Sequence, residues 1–280
     1  MTGKIYVVTG ANKGIGYAIV RGLGQKLSGD LIYLAARNTS LGEEALKKVK
    51  SELNGKLNSD IRFHQLDITN ESSCKNFAEY IKKEHGGLDI LINNAGFAFK
   101  FDATEPCDQQ ADVTIGINYY GTKLVTSILL PLIRSGGRIV NVCSQAGIMK
   151  NRYSDSWIQR FTNDIYTESD IDNFVETYKK LTKEEASGKG HKRKEGGFIE
   201  SAYMVSKAAE IAYSVYLARI LKDRKIIVNG CCPGYVDTDM TSHKGPLTID
   251  QGADTPIYLA TDSNVSNGGF YYERKIKEWL

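Results

Sequence analysis

A tyrosine and a lysine stand four residues apart in the segment Tyr203-Met204-Val205-Ser206-Lys207. In a helix this spacing places both side chains on one face. A phenol with an ordinary pKa of about 10 is a weak acid–base group at neutral pH, and a cation one turn away favours its ionised form. The pair is therefore a candidate for proton transfer, although the spacing alone also fits one face of an amphipathic helix.

A glycine-rich segment near the start of the chain is the second candidate. Thr9-Gly10-Ala11-Asn12-Lys13-Gly14-Ile15-Gly16 follows an apolar run and precedes a helical pattern. Glycines between a strand and a helix let the backbone approach a pyrophosphate at the helix N-terminus. The context predicts a dinucleotide site. The alternative is an ordinary glycine-rich turn.

The charges near this segment indicate which dinucleotide binds. An NAD site usually carries an acid about 20 residues after the glycines, bonded to the ribose 2′-hydroxyl. Ala36 stands at that position here, and Arg37 follows it. Lys13 supplies a second cation within the glycine segment. Two cations without an acid favour the 2′-phosphate of NADP(H), unless Arg37 only points to solvent.

The remaining pattern alternates strands and helices. Six apolar, β-branched runs predict strands at Lys4–Thr9, Leu31–Ala36, Ile61–Leu66, Leu88–Asn93, Arg138–Ser144 and Ile226–Cys231. Apolar residues at helical spacing predict helices at Tyr17–Leu27, Gly42–Leu53, Ser72–Glu84, Tyr120–Arg134 and Ala202–Lys222. This alternation is typical of a doubly wound parallel sheet covered by helices on both faces.

Composition excludes several classes of protein. The 280 residues are 41% hydrophobic and 25% charged, which argues against disorder. The net charge of +3 depends on a single segment, residues 179–195, which holds more basic than acidic side chains. We therefore expect no nucleic-acid partner. The short basic run Lys192-Arg193-Lys194 is all that supports the alternative.

Two further features bear on compartment and membrane. The most apolar run, Leu124–Ile133, is too short to span a bilayer, which needs about 20 residues, so we expect no membrane partner. The five cysteines show no paired metal-ligand spacing, so we expect no metal. Free thiols predict a cytoplasmic protein, and the adjacent Cys231 and Cys232 leave a reactive thiol possible.

Together these motifs resemble the short-chain dehydrogenases/reductases. The motifs that carry the resemblance are Thr9–Gly16, Asn93-Asn94-Ala95-Gly96, Asn118, Ser144, Tyr203 with Lys207, and Pro233-Gly234 with Thr238. The resemblance covers nearly the whole chain. It implies an α/β fold in which residues 1–280 form a single doubly wound Rossmann domain with a parallel sheet.

The resemblance also implies a role for each catalytic residue. Tyr203 donates a proton to a carbonyl oxygen, and Ser144 hydrogen-bonds that oxygen. Lys207 binds the nicotinamide ribose and lowers the pKa of Tyr203, while Asn118 holds a water-linked proton relay to Lys207. Without this context, the alternative for Ser144 is a simple hydroxyl at the end of a strand.

Further residues are implied to bind NADP(H). Asp67 bonds the adenine amine, unless it instead caps the next helix, and Asn94 lies along the cofactor. Val236 and Thr238 lie near the nicotinamide amide and the phosphates. The full expected set is Gly10, Asn12, Lys13, Gly14, Ile15, Gly16, Arg37, Asp67, Ile68, Asn94, Gly96, Tyr203, Lys207, Val236 and Thr238.

A long segment separates Ser144 from Tyr203 and resembles the carbonyl reductase branch of the family, which depends on NADPH. Residues 151–197 form this insertion, with helical patterns at Ser154–Thr162 and Ser169–Thr182. It should cover the surface through which tetrameric relatives pair, so we expect a monomer. Its apolar Trp157 and Phe161 either line the substrate cleft or simply pack the insertion.

Two positions depart from the pattern of this branch. Leu41 replaces a basic residue that commonly assists 2′-phosphate binding, and Tyr235 stands where a bulkier Trp is common. The resemblance implies an enzyme that reduces aldehydes, ketones or quinones with NADPH. The alternatives are a reductase dedicated to one metabolite ketone, of the terpenoid or alkaloid type, and a non-catalytic NADPH-binding sensor.

Overall fold

A central β-sheet organises the chain. The structure, a computed structural model, describes residues 3–100, 102–162 and 165–280. Within these ranges the strands are β1 (Ile5–Thr9), β2 (Leu31–Ala36), β3 (Asp60–Gln65), β4 (Leu88–Asn93), β5 (Ile133–Val142), β6 (Ile227–Cys232), β7 (Phe270–Tyr272) and β8 (Lys275–Ile276). Their order is β3-β2-β1-β4-β5-β6-β7-β8, and β8 alone of these runs antiparallel to its neighbour. The predicted parallel sheet is confirmed, with two short strands added at one edge.

The helices connect these strands across both faces. They are α1 (Gly14–Lys26), α2 (Thr39–Glu52), α3 (Glu71–His85), α4 (Cys107–Ile115), α5 (Thr122–Leu129), α6 (Asp155–Thr162), α7 (Glu168–Ala186), α8 (Lys192–Glu195), α9 (Ala202–Ile220) and α10 (Ile249–Thr261). The apolar residues of β1 alternate between two cores. Ile5 and Val7 pack towards α3, α4, α5 and α9, whereas Tyr6 and Val8 pack towards α1, α2 and α10. Burial on both faces explains why the strands are continuously apolar.

One predicted helix has the wrong bounds. The helix expected at Tyr120–Arg134 in fact starts at Cys107, widens into a π-helical segment at Gly116–Gly121, and continues as α5 to Leu129. Pro131 lacks the amide that a helix interior needs, and β5 begins at Ile133. The predicted start, Tyr120, therefore lies inside the π-helical segment, and the predicted end, Arg134, lies inside β5.

The insertion folds around a cluster of aromatic rings. Phe174 of α7 packs against Tyr153, Trp157, Phe161 and Phe198, with ring centroids 5.1–5.6 Å away. The Trp157 indole donates a hydrogen bond to the carbonyl of Gly196 at 3.0 Å. These contacts support the packing alternative for Trp157 and Phe161.

This cluster anchors the insertion beside the helix of the candidate catalytic pair. α7 lies against both α4 and α9. The two predicted insertion helices match α6 and α7, and α7 extends four residues beyond the prediction, to Ala186. No helix within the described ranges is both long and apolar enough to cross a membrane.

Candidate active site

The glycine segment forms the loop between β1 and α1. Gly10 has φ +62°, and a Cβ there would lie 2.7 Å from Ala95 Cα. Gly14 has φ +56°, and a Cβ on Gly16 would lie 2.4 Å from Nδ2 of the Asn94 side chain. A side chain at these positions is excluded by backbone conformation or by space. The loop backbone therefore packs closely against the residues that follow β4, and Lys13 before α1 offers no side-chain cap to the first amides of the helix.

Asn94 braces this loop from the end of β4. Its backbone amide donates to the Thr9 hydroxyl at 3.0 Å, and its side-chain amide donates to the carbonyls of Thr9 and Gly10 at 3.0 and 3.2 Å. These bonds tie the carboxyl ends of β1 and β4 together, at the edge of a parallel sheet where ligands bind. Asn94 thus shapes the expected cofactor loop.

The two cations expected at the ribose differ in their surroundings. Arg37 is exposed at the end of β2, while Lys13 pairs with Asp239 at 2.6 Å across the mouth of the loop. Both members of this ion pair are largely exposed, so the pair contributes little to stability and can open readily. Leu41, at the start of α2, is 49% exposed.

Asp67 and Ile68 follow β3. The Asp67 carboxylate accepts hydrogen bonds from the amide and hydroxyl of Thr69 at 2.9 and 2.7 Å. Asn70, not Asp67, caps α3 through the amide of Ser73. The capping alternative for Asp67 is therefore wrong. Ile68 is buried.

The loop after β6 lies against the glycine loop. A Cβ on Gly14 would lie 3.5 Å from the Thr238 methyl group, so Thr238 faces the start of α1. Val236 is buried, whereas Tyr235 and Met240 are 52% and 41% exposed. Both Cys231 and Cys232 are buried, and burial raises the pKa of each thiol. A reactive thiol is not supported at either position.

Tyr203 and Lys207 share one face of α9, as their spacing predicts. The Lys207 ammonium lies 5.7 Å from the centroid of the Tyr203 ring and donates to the carbonyl of Val142 at 3.2 Å. Ser144 lies just beyond β5, and its hydroxyl accepts from the amide of Ala146 at 3.1 Å. Burial raises the pKa of Tyr203, and the charge of Lys207 and the nearby Ser144 hydroxyl oppose the rise. A hydroxyl pair with an adjacent cation is suited to protonating an oxygen atom.

Asn118 lies in the π-helical segment between α4 and α5. Its side chain accepts from the Phe97 amide at 2.7 Å and donates to the Phe97 carbonyl and the Ser206 hydroxyl, both at 2.9 Å. A Cβ on Gly96 would stand 3.4 Å from Asn118 Oδ1 and 3.7 Å from Lys207 Nζ. The absent side chain of Gly96 therefore keeps a gap between Asn118 and Lys207.

The sequence analysis did not identify Glu210, which pairs with Lys207. Their charged atoms are 2.7 Å apart, and the side chains are only 2% and 6% exposed. Burial raises the pKa of Glu210 to about 7, although Lys207 acts to lower it. Burial is the largest single influence on Lys207 and acts to lower its pKa, but Glu210, Tyr203 and Cys143 together outweigh it and the pKa is raised. The i, i+3 spacing on α9 was the available signal.

Comparison with known proteins agrees with this geometry. The profile of the short chain dehydrogenase family matches residues 4–156 and 186–246. The interruption, residues 157–185, lies within the insertion. Carbonyl reductase [NADPH] 3 of Rattus norvegicus is 39% identical over 99% of this chain and 98% of its own length. Carbonyl reductase [NADPH] 1 of Homo sapiens is 38% identical over 98% of each chain.

A solved structure shows the same architecture. Salutaridine reductase from Papaver somniferum superposes with a TM-score of 0.83 and 32% identity, covering 96% of this chain and 99% of its own. Menthone neomenthol reductase from Mentha piperita gives a TM-score of 0.79 at 28% identity, over 96% and 98% of the two chains. The relatives align over nearly the whole chain at 38–39% identity, and the family profile matches most of its residues. This chain therefore belongs to the short chain dehydrogenase family.

Proposed function

We propose that this protein reduces carbonyl compounds (aldehydes, ketones or quinones) to alcohols with NADPH. The observation that carries the proposal is the convergence of Ser144, Tyr203 and Lys207 beside the gap that Gly96 leaves in front of Asn118. The curated relatives that share this sequence over nearly its whole length are named carbonyl reductases that use NADPH.

The residues present fit a dinucleotide with a 2′-phosphate. The glycine loop has no room for side chains at Gly10 and Gly16. Ala36 stands where an acid would repel the phosphate, and the exposed Arg37 follows it. Lys13 becomes available to the same phosphate when its exposed pair with Asp239 opens. We propose that Asp67 and Ile68 border the adenine, and that Val236 and Thr238 border the other end of the cofactor.

In the proposed mechanism the bound NADPH supplies the hydride. Ser144 donates a hydrogen bond to the substrate oxygen and stabilises its growing negative charge. Tyr203 gives its hydroxyl proton to that oxygen, and the Lys207 charge stabilises the phenolate that remains. Asn118, fixed by Phe97 and Ser206, holds the gap beside Lys207 through which the proton is replaced.

A second candidate is a reductase dedicated to one metabolite ketone. The high TM-score with salutaridine reductase favours it, since that protein acts on one named metabolite with the same overall fold. The sensor alternative gains no support, because the four expected catalytic residues lie together. In the basic run, Lys192 pairs with Glu195 at 2.5 Å and Arg193 with Glu185 at 2.6 Å, which weakens the case for nucleic-acid binding.

We further propose a cytoplasmic monomer. Five free cysteines fit a reducing compartment, and α7 packs against both α4 and α9. Light scattering at micromolar concentration should give the mass of one chain, and a stable dimer or tetramer would contradict the proposal.

The enzyme proposal is tested by NADPH oxidation with a panel of quinones, aldehydes and ketones, comparing wild type with Tyr203→Phe. The wild type should oxidise NADPH and form alcohols, and the variant should lose at least a hundredfold in rate. Equal rates across the panel would refute the mechanism. A strong preference for one ketone would support the dedicated reductase.

A further inference from the structure

Lys207, the cation beside the Tyr203 phenol, forms a buried ion pair with Glu210. The ammonium and carboxylate are 2.7 Å apart, and both side chains lie in the interior beneath β5 and β6. Glu210 Oε2 has no solvent contact and no well-aligned hydrogen-bond donor in the described parts of the chain. The carboxylate is therefore balanced chiefly by the charge of Lys207, and a buried carboxylate held this way needs an explanation.

We propose that Glu210 is a positioning residue that holds the Lys207 ammonium and limits the action of its charge on the Tyr203 hydroxyl. This inference rests on the proposed function, because it concerns the group that donates the proton. It assigns Glu210 no contact with substrate or cofactor.

The geometry supports this role in two ways. A lysine ammonium has three N–H groups. The Val142 carbonyl accepts one at 3.2 Å, and Glu210 draws the ammonium towards the interior, so its freedom to face the cleft is restricted. In addition, a positive and a negative charge placed side by side act on a third group more weakly than the positive charge alone.

No other titratable group close to the pair in the described parts of the chain supplies a charge that could offset the action of Lys207 on Tyr203. Tyr203, Lys207 and Cys143 interact electrostatically with Glu210, and Cys231 and Cys232 on β6 interact with Lys207. Burial raises the pKa of each of these thiols, so they remain neutral near pH 7. Lys207 and Glu210 are thus the charges that act on Tyr203, with opposite signs.

The consequence is a phenol that keeps its proton. Glu210 acts to raise the pKa of Tyr203, and Lys207 acts to lower it. A protonated Tyr203 can donate to a carbonyl oxygen, whereas alcohol oxidation needs the phenolate as a base. Because Glu210 is ionised above its pKa of about 7, the pair suits the site to reduction towards alkaline pH, where Tyr203 would otherwise lose its proton.

The decisive variant is Glu210→Gln, which keeps the shape of the side chain and removes its charge. The alkaline limb of the pH profile for reduction of 4-nitrobenzaldehyde should move to lower pH by on the order of one unit. Tyrosinate ultraviolet absorbance, taken as the difference from the same protein carrying Tyr203→Phe, should show the same shift without substrate or cofactor. Glu185→Gln is the matched control, because it removes a buried carboxylate that pairs with Arg193 away from the site.

Several outcomes would overturn the inference. An unmoved tyrosinate midpoint in folded Glu210→Gln, or an equal shift in Glu185→Gln, contradicts it. A lower rate with an unchanged pH profile shows a purely structural role and also contradicts it. Should Glu210→Gln fail to fold, Glu210→Leu provides the same comparison with an apolar side chain in the buried site.

The wild type provides a measurement that needs no variant. With Lys207 balanced, Tyr203 should titrate at or above the ordinary tyrosine pKa of about 10, and a midpoint below that value contradicts the inference. These titrations separate the two proposals. A wild type that reduces no carbonyl defeats the proposed function, while the tyrosinate comparison still decides the role of Glu210.

Discussion

Gly96 provides the sharpest test of the active-site geometry, because its substitution separates folding from activity. A methyl group at this position would lie 3.4 Å from Asn118 Oδ1 and 3.7 Å from Lys207 Nζ, both ordinary contact distances. The φ of Gly96 lies outside the left-handed region, so alanine fits the backbone. Gly96→Ala should therefore fold and be as stable as wild type, or more stable by about 0.4–1 kcal/mol.

Activity should respond in the opposite direction. The methyl group would fill the gap between the Asn118 carboxamide and the Lys207 ammonium, and would exclude the water that the proposed proton relay places there. It would also narrow the space beside Lys207 that the proposed mechanism uses. Since small displacements in an active site can cost about a hundredfold, we expect kcat/KM for carbonyl reduction to fall by roughly that factor.

The assay pairs thermal unfolding with NADPH oxidation in wild type, Gly96→Ala and the control Gly116→Ala. A Cβ on Gly116 would meet no atom within 4 Å, so the control makes the same exchange in open space. Activity in Gly96→Ala within threefold of both other proteins would refute the gap as a functional feature. A large drop in Tm for Gly96→Ala would refute the contact distances.

Four further predictions follow from other contacts. Arg37→Asp places an acid near the expected 2′-phosphate and should raise KM for NADPH at least tenfold, whereas kcat/KM with NADH should stay the same or rise. An unchanged preference for NADPH would contradict the proposal that Arg37 binds the 2′-phosphate of the adenosine ribose. Asn94→Ala removes donors to the Thr9 and Gly10 carbonyls and should weaken NADPH binding, measured by fluorescence titration, and destabilise the fold by about 1–3 kcal/mol in urea. Phe174→Ala empties the centre of the aromatic cluster and should cost about 3–5 kcal/mol, and a loss below 1 kcal/mol would show that this cluster does not hold the insertion. Burial raises the pKa of Glu210 from about 4.5 to about 7, so its contribution to stability is complete below pH 4.5 and is lost as pH rises through 7. The free energy of unfolding of wild type should thus fall relative to that of Glu210→Gln between about pH 4.5 and pH 7, and a constant difference would contradict the shift.

The sequence predicts best where local pattern and tertiary environment agree. Buried parallel strands are continuously apolar, so five of the six predicted strands lie within one or two residues of their observed bounds. The sixth, expected at Arg138–Ser144, starts earlier because Ile133 pairs with Leu88 of β4 ahead of a register shift. The short β7 and β8 were missed, since three and two residues carry no measurable period.

In the candidate site, too, local features could be predicted from the sequence and features that depend on tertiary structure could not. The Tyr203–Lys207 spacing and the glycine loop are local, and the structure places them as expected. The gap beside Gly96 depends on the π-helical segment that carries Asn118, and no local pattern indicated that segment. The ion pair of Lys13 joins residues 226 positions apart, so a charge pattern could suggest the cation but not its partner.

For Glu210, the sequence indicates the position of the side chain next to Lys207 but not the energy of their interaction. Its spacing from Lys207 is visible in the sequence, but an i, i+3 pair on a solvated face is worth only about 0.2–0.5 kcal/mol and would do nothing to the chemistry. The same pair becomes influential here because both side chains are almost fully buried, and the ammonium also bonds to the Val142 carbonyl. Burial of an entire helix face, not the residues alone, turns an ordinary helical ion pair into a device that can set the protonation of Tyr203.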